Sequence, residues 1–261
     1  ADRERRMLHA QKMAAVGQLA QKVAHRFANA LTTILGRAEV ARVTAGENTT
    51  VGRLMDDIMS SAYKVSDLTG ELLAFASPES LRVQRLNLGR CVSGIRNMLE
   101  EALGTDVELR IECDDDTGRV DIDPDRFEEA LVHMAVNAAE AMSGRGCMTL
   151  SLRRVVLGAR ELHRLSGDSA AGPDAQTEFT RLSIGDTGCG MTAKTVSRIF
   201  EPFFTTKAKQ GKSGLGLATV YNIVRQHGGF IDVQSQPDCG TTFHVYLPIA
   251  PAETAPKEKI S

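Results

Sequence analysis

The chain has 261 residues, 42% hydrophobic and 25% charged, with a formal net charge of −2. That is enough for one large domain or two modest ones of ordinary globular composition, and the near-neutral charge with scattered basic residues argues against a nucleic-acid binder. Five cysteines, Cys91, Cys113, Cys147, Cys189 and Cys239, are an odd number without a CxxC pair, which argues against a disulfide framework or a zinc site and for a reducing, cytoplasmic location.

No apolar run approaches the roughly 18 residues that a membrane span needs. The charged start, "ADRERRMLHAQK", carries no signal-peptide core and no initiator methionine. It reads as part of a longer chain whose sensory or membrane region precedes it.

From Val16 to Ala41, small or apolar residues recur at Val16, Ala20, Val23, Phe27, Ala30, Ile34 and Ala41. Spacings of three, four and seven predict one stripe along a long helix. Gly46, Asn48, Thr49 and Thr50 form a turn signal. A second stripe follows at Val51, Leu54, Ile58, Ala62, Val65, Leu68, Leu72 and Phe75, closed by Pro78. A lone helical hairpin has little to bury its stripe against. Pairing two copies into a four-helix bundle, and hence a homodimer, resolves this, although periodicity alone equally allows a coiled-coil spacer.

After Pro78 the pattern changes. "VELRIEC" and "GRVDID" read as strands with "DDDTG" as the turn between them. Asp123 and Pro124 mark a helix start, and Phe127, Leu131, Met134 and Ala138 carry helical spacing beyond it. "CMTLSLRRVVL" and "EFTRLSIGDTG" read as strands separated by the polar loop "SGDSAAGPDAQT". Helical "AKTVSRIF", a Gly/Lys-rich stretch, helical "LATVYNIVRQHGG" and the strands "FIDVQSQ" and "TTFHVYLPI" complete the order. The mixture lacks a regular βαβ alternation, so an α+β chain is expected: a helical hairpin followed by an α/β sandwich. The expected divisions are 1–78 hairpin, 79–84 linker, 85–249 sandwich and 250–261 a flexible Ala/Pro/charge-rich tail.

Four stretches of the second part carry polar or glycine signals. Asn137 interrupts an otherwise apolar helix, and taken singly it reads as a helix-surface residue. "DTGCGM", Asp186 to Met191, sets glycines at a strand end, where they permit a close backbone approach beside a carboxylate acceptor; alone it is an ordinary turn. "FEPFFTTK", Phe200 to Lys207, shows aromatics that suit a core equally well. "GKSGLGLATV", Gly211 to Val220, runs a glycine loop into a helix start whose N–H groups suit phosphate. It is neither a Walker loop nor a dinucleotide fingerprint.

In this order and spacing the four stretches resemble the ATP-binding domain of sensor histidine kinases, which share the Bergerat-type fold of gyrase, Hsp90 and MutL. The resemblance extends over nearly the whole chain, because the hairpin is similar to that family's dimerisation and phosphoacceptor domain. It implies ATP and Mg²⁺ as ligands. Asn137 then coordinates Mg²⁺ on the phosphates, and Asp186 accepts from the adenine amino group. Gly188 and Gly190 leave room for the base, and Phe203 and Phe204 belong to a mobile lid over roughly Ile199 to Lys212. Gly214, Leu215 and Gly216 border the phosphates, either Lys207 or Lys212 reaches the γ-phosphate, and a backing water, Thr241 or Thr242 completes the adenine contacts.

The same resemblance singles out "VAHRFANALTTILGR", residues 23–37. His25 matches the phosphoacceptor, in the subgroup with a His-x-Phe-x-Asn box, hybrid or nitrogen-regulation-like. Asn29, one helical turn on, matches the residue that orients water to dephosphorylate the partner. Without the second domain, His25 would read as a solvated helix residue. Arg26 departs from the family pattern, which places an acidic residue there. A carboxylate orients the imidazole and helps remove its proton; a permanent cation does neither, but it disfavours the imidazolium and attracts a γ-phosphate. The expectation is slow but surviving autophosphorylation, with transfer to an aspartate of a response-regulator receiver domain. Two alternatives stay open: an ATPase of the same fold that phosphorylates no histidine, and a kinase-silenced dimeric scaffold or phosphatase. His133 shares the helix of Asn137 and reads as a packing residue; His9, His163, His227 and His244 read as surface, strand or turn residues.

Overall fold

The computed structural model describes residues 23, 27, 30–46, 49–76, 81–166, 176–207 and 212–251, without the side chains of 64 and 66–76. Two compact units divide the chain: Ala1–Ser80 with Ile199–Thr219, and Leu81–Arg198 with Val220–Ser261.

In the first unit, helix α1 covers residues 30–45 and α2 covers Thr50–Ala76. Gly46 ends α1 at φ +87, a conformation glycine adopts without strain, and its N–H donates to the Arg42 carbonyl at 3.1 Å. The Thr49 hydroxyl caps α2 by accepting from the Gly52 N–H at 3.0 Å. Arg42 of α1 lies 3.8 Å from Asp56 of α2. The predicted stripes are not what a single chain buries. Leu31, Ala38 and Ala62 are buried, whereas Phe27, Ile34, Leu54 and Ile58 are 44–53% exposed. Only Ala62 of these three was on the predicted stripe.

The second unit starts with β1 (Gln84–Leu86), α3 (Leu88–Gly94), α4 (Arg96–Leu103), β2 (Val107–Cys113) and β3 (Val120–Ile122). Then come α5 (Pro124–Ala141), β4 (Gly146–Gly158), α6 (Ala159–Ser166), β5 (Gln176–Asp186) and α7 (Ala193–Val196). Helix α8 (Gly216–Gln226), β6 (Phe230–Ser235) and β7 (Thr241–Pro248) complete the chain order.

A five-stranded sheet runs β2-β4-β5-β7-β6, with β2 parallel to β4 and the other neighbours antiparallel. One face packs on helices: Leu182, Val245 and Leu247 meet Phe127, Leu131 and Met134 of α5 and Val220, Ile223 and Val224 of α8. The opposite face gathers Leu157, Phe179, Phe230 and Tyr246 with Leu162 of α6, and the Phe230 and Tyr246 rings stack at 4.9 Å. The sandwich predicted from the sequence is present, with an α+β composition.

Two local expectations are corrected. The strands "VELRIEC" and "GRVDID" do not form a hairpin: β3 pairs antiparallel with β1, and β2 lies beside β4. The intervening segment instead folds inward, with Thr117 buried and Gly118 so close to Ile249 that a β-carbon would come within 2.6 Å of its side chain. The "AKTVSRIF" helix stops at Val196, and turns continue to Phe200.

Helix α5 begins as its sequence predicts. Asp123 caps it, accepting from the Asp125 and Arg126 N–H groups, with Pro124 in the first turn. Its other oxygen accepts from the Arg82 N–H at 2.7 Å. Buried His227, at the end of α8, accepts from the Asp123 N–H through Nε2 at 2.9 Å, and its Nδ1 lies 2.7 Å from the Ile223 carbonyl. One junction thus ties the start of α5 to the end of α8. Burial pushes the Asp123 carboxyl upward, but the three backbone donors, from Arg82, Arg126 and Asp125, outweigh it and hold it below the ordinary value. A carboxyl depressed in the folded state stabilises fully above its unfolded pKa, and that contribution disappears as the pH falls through the folded value. Asp123→Asn keeps a capping oxygen but removes its charge, so it should lower the thermal midpoint at neutral pH, by the equivalent of about 1 kcal/mol, and flatten the acid limb of the stability curve. Unchanged acid limbs in thermal melts would contradict this.

Candidate functional site

Asp186 closes β5, opposite Thr241 in the β5–β7 register. Directly opposed antiparallel residues share a face, so both project on the side that carries α5 and α8. Thr242 pairs with Gly185 and lies on the other face, where a β-carbon on Gly185 would sit 3.3 Å from its hydroxyl. Of the two threonines considered, Thr241 therefore shares Asp186's face and Thr242 does not. The Thr241 hydroxyl lies 2.9 Å from the Ser235 hydroxyl, which also donates to the Gly240 carbonyl at 3.0 Å.

Beyond Asp186 the chain folds back on its own carboxylate. The Gly188 N–H donates to Asp186 Oδ1 at 2.8 Å, fixing the orientation of the acceptor. Gly188 admits no side chain, since a β-carbon would lie 2.7 Å from the Ala141 backbone, and the Cys189 N–H donates to the Ala141 carbonyl at 3.0 Å. Gly190, at φ +62, is more constrained still: a β-carbon would sit 1.9 Å from the Gln236 carbonyl oxygen. Both glycines are required by close backbone approach. The Thr187 hydroxyl braces the loop from below, accepting from the Cys147 N–H at 3.1 Å.

Asn137 stands one helical turn before Ala141, the residue on which the Asp186 loop rests, so it shares the loop-facing side of α5. It is half-buried, at the margin of the stripe formed by Phe127, Leu131, Met134 and Ala138. His133, a further turn back, lies 3.9 Å from Glu129. The second unit thus brings Asn137, Asp186, Gly188, Gly190 and Thr241 to one edge of its helix-covered face. The roles of Ala141 and Thr187 were not legible in the sequence, since one is a backbone seat and the other a brace across 40 residues.

No group of three or more His, Cys, Asp and Glu side chains among the described residues could hold a metal. A resident multi-carboxylate cation site is therefore not part of the described surface. A single neutral amide oxygen such as that of Asn137 suits a Mg²⁺ that arrives on phosphate and retains its own water.

The remaining nucleotide candidates lie in residues 199–219 of the first unit. Phe203, 56% exposed, takes φ +64, unusual for a bulky side chain, and its N–H donates to the Gly214 carbonyl at 3.1 Å. Gly214, at φ +70, lies so close that a β-carbon would come within 2.7 Å of the Phe203 and Phe204 backbone. The "FEPFF" and "GLG" stretches are thus locked together. The Lys207 N–H donates to the Thr205 hydroxyl at 2.9 Å, and the Leu215 N–H to the Ser213 hydroxyl at 3.2 Å. Lys212 is exposed, Leu215 is buried and Gly216 opens α8. His25, Arg26 and Asn29 lie outside the described residues.

Residues 122–251 match the family described as histidine kinase-, DNA gyrase B- and HSP90-like ATPase. Sensor kinase CckA of Brucella abortus (strain 2308) is 36% identical over 246 residues, which is 94% of this chain and 25% of that protein. The chain thus spans about a quarter of the length of this relative. The crystal structure of full-length ShkA in complex with AMPPNP aligns with a TM-score of 0.65 at 21% identity, over 90% of this chain and 46% of that one. Histidine kinase ThkA in complex with response regulator protein TrrA aligns at 0.56 and 22% identity, over 96% of this chain and 65% of that one.

Proposed function

We propose that this chain, which belongs to the sensor histidine kinases through a histidine kinase-, DNA gyrase B- and HSP90-like ATPase domain at residues 122–251, binds Mg·ATP and transfers its γ-phosphoryl group to His25. The observation that carries this reading is the fixed carboxylate of Asp186, held by Gly188 and seated on α5 beside the face of Asn137. An acceptor-only group held in one orientation by a backbone N–H suits the exocyclic amine of a purine. Thr241, on the same face, is the hydroxyl that supports those contacts. Asn137 would hold the Mg²⁺, which neutralises charge on the phosphates when it is bound. For Phe203, Phe204, Lys207, Lys212, Gly214, Leu215 and Gly216, the lid and phosphate roles rest on the resemblance, together with the suitability of the amides that open α8 for phosphate oxygens.

The transfer needs a neutral imidazole. A ring nitrogen of His25 attacks the γ-phosphorus, the bond to the ADP oxygen breaks, and the imidazole proton leaves to water or a base elsewhere in the protein. Arg26, a permanent cation, accepts no proton. Positioning and charge neutralisation then carry most of the rate. Pairing of two chains is supported by the exposed stripe of Phe27, Ile34, Leu54 and Ile58, which a second hairpin would cover. The phosphoryl group then passes to an aspartate of a receiver domain, a partner class supported by the response-regulator complex of the similar ThkA.

Incubation with γ-labelled ATP and Mg²⁺, followed by addition of a receiver domain, tests the whole sequence. The expected result is an acid-labile, base-stable label on the chain that then appears on the receiver. ATP hydrolysis without covalent label would favour the ATPase alternative. Loss of phosphate from a pre-phosphorylated receiver, with no labelling of the chain, would favour a phosphatase using Asn29. Excess EDTA should abolish labelling and weaken nucleotide binding, and undiminished labelling in EDTA would remove Mg²⁺ from the account.

A further inference from the structure

The thiols are not equivalent. Cys189 and Cys239 are both exposed and unbridged, and they sit on two segments laid backbone against backbone. The Asp238 N–H donates to the Cys189 carbonyl at 2.8 Å, so Cys239 follows directly on the donor that holds Cys189. On either side of this bond the segments interlock: a β-carbon on Gly190 would strike the Gln236 carbonyl, and one on Gly240 would come within 2.0 Å of the Asp186 carbonyl. The Cys239 N–H donates to the Gln236 carbonyl at 3.1 Å, closing a tight turn in which Asp238 takes φ +60. By contrast, burial pushes the Cys91 and Cys113 thiols up, with Asp114 adding to the effect at Cys113, which makes both poorer sources of thiolate.

We propose that Cys189 and Cys239 form a redox-modification site, in which a peroxide converts the pair to an intramolecular disulfide that weakens nucleotide binding at the Asp186 loop. The effect on binding rests on the nucleotide reading above; the bond itself does not. One thiolate attacks the peroxide O–O bond, giving a sulfenic acid and releasing the other oxygen as water after protonation. The second thiolate then attacks the sulfenic sulfur, forming the S–S bond and releasing the second oxygen as water. Peroxide gains two electrons and the two sulfurs lose them. A dithiol reverses the step by exchange.

The coupling is steric. Bridging sulfurs must approach to about 2.05 Å with a defined dihedral, a constraint placed on the Cys189 peptide between two glycines tightly packed against neighbouring backbone. Gly188 abuts Ala141 and Gly190 abuts Gln236. The Gly188 N–H is also the group that orients the Asp186 carboxylate. Displacing that peptide therefore displaces the acceptor.

The test treats the protein with hydrogen peroxide, digests it without reduction and maps peptides by mass, while a fluorescent ATP analogue reports affinity before and after. The proposal expects a peptide pair joined through Cys189 and Cys239 and an affinity loss of roughly threefold or more, about 0.7 kcal/mol. Dithiothreitol should restore the affinity, and Cys239→Ser should bind nucleotide but no longer respond. Separate sulfenic or sulfinic acids with no joined peptide would overturn the site, and a joined peptide with unchanged affinity would overturn the coupling. Reduced protein that binds no nucleotide would overturn the nucleotide reading and the coupling with it, and the mapping would still decide the disulfide.

Discussion

Replacing His25 with alanine is expected to reduce acid-labile labelling by γ-labelled ATP to background while nucleotide affinity stays at the wild-type value. The separation follows from the division of labour: the acceptor lies in the hairpin sequence, whereas Asn137, Asp186, Gly188, Gly190 and Thr241 lie in the sandwich. Arg26 supplies a companion prediction. A positioned general base contributes on the order of 10²- to 10⁴-fold, and an arginine next to the nucleophile provides none. Arg26→Glu should therefore raise the labelling rate by roughly tenfold or more, provided its carboxylate reaches the imidazole proton. The gain should appear chiefly above the ordinary histidine pKa of about 6.5, where an imidazole is neutral. A label that persists in His25→Ala would place the acceptor elsewhere. An Arg26→Glu rate at or below wild type would show that proton removal does not limit the step.

The second large effect concerns the Asp186 loop. Asp186→Ala removes the acceptor and strands the Gly188 N–H that now donates to it at 2.8 Å. A hydrogen bond to a charged group contributes about 1.5–3 kcal/mol, so affinity for an ATP analogue should fall roughly tenfold to more than a hundredfold. Gly190→Ala reaches the same site by another route. It forces a side chain into φ +62 and puts its β-carbon 1.9 Å from the Gln236 carbonyl, so the loop and the 236–240 turn must separate. That cost falls on a surface loop rather than on the core of Leu131, Leu150 and Leu182. Nucleotide binding should be lost while most of the thermal stability remains, as calorimetry beside a binding titration would show. Wild-type affinity in both variants would exclude this loop as the purine site.

The sequence made some of this legible and hid the rest for identifiable reasons. β4 to β7 were readable because alternation and turn residues are local signals, and α5 because Asp123 and Pro124 announce a helix start. The "DTGCG" stretch stood out only through its order and spacing with the other three stretches, since alone it reads as an ordinary turn. Partner choice was not local. The β2–β3 hairpin failed because β2 finds β4, and β3 finds β1 from an earlier stretch of the chain. The segments that became α3, α4 and α6 went unassigned, because helices of seven or eight residues carry too few turns to show a stripe. Choosing Thr241 over Thr242 needed the β5–β7 register, since one residue of shift moves a side chain to the other face.

The central claim is that a nucleotide held at the Asp186 loop delivers its phosphoryl group to the hairpin. Locating the modified residue tests it most directly: react the protein with Mg·ATP, quench in base to preserve phosphohistidine, digest and map the phosphorylated peptide by mass. The account predicts phosphate on His25, and a strongly reduced yield of that peptide in Asp186→Ala at the same subsaturating ATP. Phosphate on a serine, threonine or different histidine, or undiminished phosphate on His25 when Asp186 is replaced, would contradict it.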